Sequence, residues 1–123
     1  MGRYVKAAEI RDVPLGGMRK VEADGTPVLL VNLDGTLYAV SPRCPHLGGD
    51  LSRGKLEGSI VTCPRHGSQF DVTDGRVVRW LQVSGFVKAL SGIFIKSRPL
   101  TTYPVKIEGD TVLVEIPGEH DSS

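Results

Sequence analysis

The sequence predicts a mostly β protein with antiparallel strand pairing. Glycine is frequent, at 15 of 123 residues, and the apolar segments are short and separated by turn signals. Two pairs of such segments flank dipeptides that favour tight turns, which is the pattern of β-hairpins. Only one segment, between residues 80 and 99, departs from this pattern.

The first predicted hairpin comes before the middle of the chain. The apolar runs 28–33 and 36–40 are joined by Asp34-Gly35. Asp-Gly readily adopts the left-handed backbone of a type I′ turn, whose twist matches that of the strands on either side. We therefore expect two antiparallel strands here.

The second predicted hairpin lies near the C-terminus. Val105 and Ile107 alternate with polar residues before Gly109-Asp110, and the apolar side chains of residues 112, 114 and 116 alternate after it. Alternation with period two is typical of strands that bury one face. The polar residues 118–123 that follow are expected to form a flexible tail.

A short helix is predicted over residues 84–96. Apolar side chains recur there at helical spacing, namely Val83, Phe86, Val87, Leu90 and Phe94. Ser84 can cap the start of the helix and Pro99 can stop it. Gly85 and Gly92 weaken the pattern, since each costs about 1 kcal/mol relative to alanine.

The composition is that of one soluble domain, predicted over residues 1–117. Apolar residues make up 40% of the chain and charged residues 24%, which argues against disorder. A formal net charge of +1 argues against a general nucleic-acid or membrane-surface binder. No apolar run has the length of a membrane span, and the first residues lack the pattern of a secretory signal. A cytoplasmic location is the expectation.

Two Cys/His pairs are the chemically informative feature of the sequence. Cys44 and His46 are separated by one residue, Cys63 and His66 by two, and sixteen residues lie between the pairs. A proline follows each cysteine, and glycine follows closely after each pair. Glycine lets the backbone approach an inorganic group and expose its N–H donors to it. The pattern indicates a metal centre rather than a disulfide.

Two other interpretations of these four residues remain open at this point. They could be packing residues that are near each other by coincidence. They could also form a Cys₂His₂ zinc site, since zinc accepts that donor set in tetrahedral geometry. In the usual zinc finger, however, two cysteines share one turn and two histidines share one helix, whereas here each segment contributes one of each.

The segments CPHLGG and CPRHGSQFD, with DLSRGKLEG between them, resemble the motif of the Rieske [2Fe–2S] family. The hairpins on either side resemble the ends of soluble Rieske ferredoxins, so the resemblance covers nearly the whole chain. It implies an antiparallel β sandwich that carries a small cluster-binding subdomain within about residues 43–71. It also implies that Cys44 and Cys63 hold the inner iron and that His46 and His66 hold the outer, solvent-facing iron. The residues expected around the cluster are Leu47, Gly48, Pro64, Gly67 and Ser68.

Exchanging two thiolates for neutral imidazoles has a consequence for redox chemistry. The cluster becomes less negative, so it accepts an electron more readily. Rieske potentials lie at roughly −150 to +300 mV, against about −400 mV for plant-type clusters that have four cysteine ligands.

The resemblance also predicts where in that range this chain lies. High-potential members carry a disulfide between the cluster loops, but Gly49 and Arg65 occupy those positions here. Ser68 matches a serine whose hydroxyl binds a bridging sulfide, with a plain turn residue as the alternative. Phe70 stands where those members have a tyrosine. One of two hydroxyl donors is kept, which predicts an intermediate potential.

The predicted function is one-electron transfer between a reductase and a terminal oxygenase or another redox enzyme, without catalysis by this chain. The chain offers no two-His, one-carboxylate set for a mononuclear iron, and His120 is expected to be a solvated tail residue. The alternative is a small Rieske subunit of a larger oxidoreductase, as in nitrite reductases.

Two surfaces are candidates for contacts with redox partners. Between residues 43 and 79 there are six basic and four acidic residues, which suggests a mildly positive face for an acidic partner, although a scattered solvated surface is equally consistent. The apolar segment 81–98 is longer than the connection of typical relatives, and it could enlarge the core. We expect that it also presents an edge, including Ile95, for self-association or docking.

Overall fold

The computed structural model describes residues 2–45, 49–64, 67–79 and 99–117. Strands dominate this part of the chain, with two short 3-10 helices at Ile10–Asp12 and Leu51–Arg53. The strands, in chain order, are β1 (Arg3–Glu9), β2 (Met18–Ala23), β3 (Thr26–Leu33), β4 (Thr36–Val40), β5 (Lys55–Glu57), β6 (Ile60–Thr62), β7 (Gln69–Asp71), β8 (Val77–Arg79), β9 (Thr102–Tyr103), β10 (Val105–Glu108) and β11 (Thr111–Ile116).

These strands form three antiparallel sheets. The terminal sheet has the order β1-β11-β10, the central sheet β2-β3-β4-β9, and the third sheet β5-β6-β7-β8. We call the third the loop sheet, because the segments with the cysteines adjoin it. The prediction of an all-β antiparallel fold is confirmed. Only the strands of the two hairpins were individually predicted; β1, β2 and β5 to β9 were not, since their sequences are short or mix charged and apolar residues without a clear period.

Both predicted hairpins are confirmed. Strands β3 and β4 pair from Leu33↔Thr36 outwards, and the turn residues Asp34 and Gly35 both have positive φ, at 55° and 96°. The buried side chain of Asn32 closes this turn, because its Oδ1 accepts from the Gly35 N–H at 2.9 Å. The second hairpin is β10–β11, with Glu108 paired to Thr111.

Strand β3 is buried on both of its faces. Val28 and Leu30 pack in a core with Val112 and Val114 of the terminal sheet, so these two sheets form the sandwich. Leu29 and Val31 point the other way, into a second core shared with the loop sheet. The uninterrupted apolar run in β3 follows from this position between two layers.

Three predictions concern residues outside the described part of the chain. They are the helix over 84–96, the apolar docking edge within 81–98, and the flexible tail 118–123. The extent of the single domain, 1–117, also stays a prediction.

Candidate functional site: two cysteine loops

The two cysteines begin two loops that are closed in the same way. The first loop (44–49) is closed by a hydrogen bond from the Cys44 N–H to the Gly49 carbonyl, at 2.8 Å. The second loop (63–68) is closed by a bond from the Cys63 N–H to the Ser68 carbonyl, at 2.7 Å. Each bond spans five residues along the chain. The two segments that are alike in sequence therefore have the same backbone closure.

Strand pairing positions each loop. The first loop is bracketed by an isolated bridge between Arg43 and Asp50. The second loop connects β6 to β7, and the two residues that flank it, Thr62 and Gln69, pair with each other. Gly67 has a φ of 76°, a conformation that glycine adopts without strain, and its N–H donates to the Cys63 carbonyl at 3.1 Å.

A glycine also lets the two loops approach each other. The chain leaves the first loop through the 3-10 helix Leu51–Arg53 and reaches Gly54, where a Cβ would overlap the Thr62 carbonyl oxygen. Thr62 is the residue immediately before Cys63. The absence of a side chain at Gly54 therefore allows the end of the first segment to pack against the start of the second loop.

Both cysteines are buried in the same apolar core. Cys44 and Cys63 are each 1% exposed, and they lie in one cluster with Leu51 and Phe70. They do not form a disulfide. An enclosed cluster needs buried cysteine ligands, and the two thiols at matching loop positions meet this requirement.

Ser68 provides an independent test of whether this site fits a cluster. Its side chain is 0% exposed, and its hydroxyl has no hydrogen-bond partner among the described residues. A buried hydroxyl without a partner costs about 1–3 kcal/mol. The cost is removed if the hydroxyl donates to an acceptor that the protein itself does not supply, such as a sulfide. The donor set and this hydroxyl therefore fit a [2Fe–2S] cluster.

The remaining predicted residues are placed only in part. Pro64 is exposed next to Cys63. His46, Leu47, Gly48 and His66 lie outside the described residues, so their role as ligands or neighbours stays a prediction. Phe70 is fully buried and pairs with Val61 and Val77 across the loop sheet.

Two aspartates near the loops were not identified from the sequence. Asp50 accepts hydrogen bonds from the Ser52 backbone (3.0 Å) and hydroxyl (2.6 Å). Asp71 accepts the same two bonds from Thr73, also at 3.0 and 2.6 Å. The recurring Asp-x-Ser/Thr pattern was a usable signal, because aspartate readily binds the backbone two residues ahead.

These contacts change the pKa values of both carboxyl groups. The Ser52 side chain is the largest influence on Asp50, and together with Lys20 it lowers the pKa of Asp50 against the opposing effect of burial. For Asp71, burial is the largest influence and raises the pKa. Hydrogen bonds, led by Thr73, and the charge of Arg76 outweigh it, so the pKa of Asp71 is also lowered. Both aspartates are therefore charged at neutral pH.

The predicted positive face is partly neutralised within the described residues. Arg53 lies 3.8 Å from Asp50, Lys55 lies 3.8 Å from Glu57, and Arg76 lies 3.3 Å from Asp71. A basic docking face remains a prediction, and exposed Arg43, next to Cys44, is its nearest described residue to the site.

The fold and the site define a class of protein. A small antiparallel sandwich carries two similarly closed loops next to its loop sheet, and each loop begins with a buried cysteine. The buried hydroxyl of Ser68 has no acceptor among the described residues. No helix within the described residues is both long and apolar enough to cross a membrane. This is the architecture of a small iron–sulfur protein.

The chain belongs to the Rieske [2Fe-2S] domain family, which it matches over residues 3–104. It is 31% identical over 114 residues to the ferredoxin component of a naphthalene 1,2-dioxygenase system from Pseudomonas aeruginosa, covering 93% of this chain and 96% of that one. It is also 31% identical over 115 residues to the 3-phenylpropionate/cinnamic acid dioxygenase ferredoxin subunit of Escherichia coli K12, covering 92% and 93%.

Solved structures agree with these relatives. The ferredoxin of Sphingomonas yanoikuyae B1 superposes with a TM-score of 0.74 at 25% identity, covering 94% of this chain and all of that one. The ferredoxin of carbazole 1,9a-dioxygenase from Nocardioides aromaticivorans IC177 gives 0.72 at 25% identity, covering 90% and 95%. The protein is thus an electron-transfer protein with a Rieske-type [2Fe–2S] cluster, and the predicted family, cofactor and electron-transfer role are confirmed.

Proposed function

We propose that Cys44 and Cys63 bind one iron of the cluster and that His46 and His66 bind the other. The observation that carries the proposal is the pair of equally closed loops, each beginning with a buried cysteine, with an orphaned Ser68 hydroxyl beside them. Each loop has its histidine two or three residues after the cysteine, so both donors of a loop stay near one centre.

The chain's own residues perform three tasks in this proposal. The apolar core around Cys44 and Cys63 excludes water from the thiolate side. The Ser68 hydroxyl would donate a hydrogen bond to a sulfide of the bound cluster, which would favour the more negative, reduced form. Gly67 allows the tight backbone of the second loop. The cluster, when bound, supplies reversible one-electron chemistry.

We further propose that the protein passes single electrons from a reductase to a terminal oxygenase. Its relatives are ferredoxin components of dioxygenase systems, and one solved neighbour is a complex of a ferredoxin with its oxygenase. These names favour a separate carrier over the permanent subunit of a nitrite-reductase-type enzyme. A cytoplasmic location is proposed with it, since reducing conditions suit two cysteines that do not form a disulfide.

Replacement of the proposed histidine ligands tests the assignment. We expect the air-oxidised protein to contain two irons and two labile sulfides, and the reduced protein to give the rhombic electron paramagnetic resonance (EPR) signal of mixed nitrogen and sulfur ligation. His46→Ala and His66→Ala should each lose this signal or lose iron rapidly.

His120→Ala is the matched control, because it removes an imidazole that is not part of the motif. It should retain the iron content and EPR signal of the unmodified protein. A colourless protein with one zinc, or a normal EPR signal in both ligand variants, would contradict the assignment.

A further inference from the structure

Asp50 is the residue that immediately follows the first loop, and both of its carboxylate oxygens have partners. Oδ1 accepts the two hydrogen bonds from Ser52. Oδ2 lies 3.3 Å from the Lys20 ammonium and 3.8 Å from the Arg53 guanidinium. The carboxylate thus shapes the turn that leaves the loop and also binds a distant lysine.

Lys20 belongs to a different layer of the protein. It lies on β2, one of the two edge strands of the central sheet, whereas Asp50 lies between the first loop and the loop sheet. Asp71 makes a similar capping arrangement, but its cation, Arg76, comes from five residues away in the same segment. The Lys20–Asp50 ion pair therefore links the first loop to the sandwich across 30 residues of chain.

The backbone bonds between the two arms of the first loop are local, whereas the Ser41 N–H, just before the loop, donates to the distant Thr101 carbonyl at 2.9 Å. The Cys44–Gly49 bond and the bond from the Leu51 N–H to the Pro42 carbonyl, at 2.7 Å, join the two arms of the same loop. They fix the width of the loop. Its orientation relative to the sandwich depends on the buried Leu51 side chain and on contacts that reach another sheet, of which the Lys20 pair is one.

We propose that Asp50 is a positioning residue for the first ligand loop and that Lys20 is its anchor on the sandwich. The inference rests on the proposed function in one respect, namely that the loop supplies iron ligands. When the anchor is lost, the loop should move more freely and its ligands should release iron more readily to a competitor.

The expected effect is modest and sensitive to salt. The Lys20 side chain is 50% exposed and that of Asp50 is 32% exposed. The pair borders an open groove of about 220 Å³, whose lining residues are Lys20, Pro27, Pro42, Arg43, Gly49 and Asp50. Dissolved ions reach the pair there and screen it. Pairs of this exposure change an equilibrium by up to about five-fold.

The experiment measures the rate at which a chelator bleaches the visible absorption of the intact protein, at low and at high salt. Lys20→Met removes the cation, and Asp50→Asn removes the anion while keeping an oxygen that can accept from Ser52. The double variant removes both. Lys20→Arg should preserve the pair and restore the original rate.

Lys106→Met is the matched control. It breaks an ion pair with Glu108 of the same length, 3.3 Å, within the β10 strand of the terminal sheet, where the two side chains are 56% and 60% exposed. It also removes the Lys106 ammonium that lies 5.9 Å from the centre of the Tyr4 ring, and it should leave the bleaching rate unchanged whatever its effect on thermal stability.

We expect Lys20→Met, Asp50→Asn and the double variant to bleach faster by a similar factor, about two- to five-fold at low salt. The unmodified protein should approach their rate at high salt. A purely electrostatic effect on the cluster would instead have opposite signs in the two single variants and cancel in the double variant. That result, unchanged rates, or equal acceleration in Lys106→Met would each overturn the proposal.

Failure of the proposed function would look different. In that case the unmodified protein would contain no cluster to bleach. If the cluster is present but its bleaching rate does not depend on Lys20 or Asp50, only the proposed anchor is refuted.

Discussion

Ser68→Ala should lower the reduction potential while the cluster stays in place. The change removes one hydroxyl from a side chain that is fully buried and has no acceptor among the described residues. Alanine fits the same space, so packing is hardly disturbed. The variant therefore isolates the hydrogen bond that we assign to a bridging sulfide.

The magnitude follows from the change in cluster charge on reduction. A hydrogen bond to a neutral acceptor contributes about 0.5–1.5 kcal/mol, and one to a charged acceptor about 1.5–3 kcal/mol. The reduced form thus gains on the order of 1 kcal/mol more from the Ser68 hydroxyl than the oxidised form does. For one electron, a tenfold change in the equilibrium corresponds to about 59 mV, so we expect a decrease of roughly 40 mV.

A redox titration monitored by visible absorption measures this shift, and iron content shows that the cluster is retained. Thr111→Val is a suitable control, because it deletes a hydroxyl that donates to Glu9 in the terminal sheet, outside the loop sheet. Its potential should equal that of the unmodified protein. If Ser68→Ala also left the potential unchanged, Ser68 would be only a turn residue and its sulfide contact would be refuted.

Two further substitutions test the surroundings of the loops. Phe70→Tyr should raise the reduction potential, because the new hydroxyl can donate to a ligand sulfur. It should also lower stability by about 1–3 kcal/mol, since it overfills a fully buried site. An unchanged or lower potential in the redox titration would contradict the first expectation. Asp71→Asn should lower stability at neutral pH by on the order of 1 kcal/mol, since the charged acceptor for Thr73 and Arg76 is lost. Because the pKa of Asp71 is below its usual 3.8 in the folded protein, this contribution is present above about pH 4 and disappears as the pH falls through the lowered pKa. The difference in thermal midpoint between Asp71→Asn and the unmodified protein should therefore shrink in acid, and a constant difference would refute the role of the charge.

Local chemistry is the reason that parts of the fold were predictable. Asp34-Gly35 determines a turn through backbone conformations that few other residues adopt readily, and the hairpin was found where it predicts one. The charged strand β2 is joined to β3 by the same dipeptide, Asp24-Gly25, whose residues also have positive φ, at 51° and 84°, so this turn was a usable signal although β2 itself shows no clear period. It is a strand because β3 pairs with it from Met18↔Val31 to Ala23↔Thr26.

The same limit applies to the candidate site. The four donors were visible in the sequence because cysteine and histidine at such short, regular spacing are typical of metal centres. Asp50 was not singled out, since an aspartate in a polar turn is common. Its importance depends on Lys20, which is 30 residues away in sequence and 3.3 Å away in space.

The sequence by itself determined the family, the cluster type, the β class and the turns, because each depends on a few residues close together in the chain. Only the tertiary structure decided that β3 is buried between two layers, that both cysteines share one core, and that the Ser68 hydroxyl has no acceptor among the described residues. These properties depend on which distant segments pack together. Burial and hydrogen-bond satisfaction are sums over neighbours in space, and no short stretch of sequence contains those neighbours.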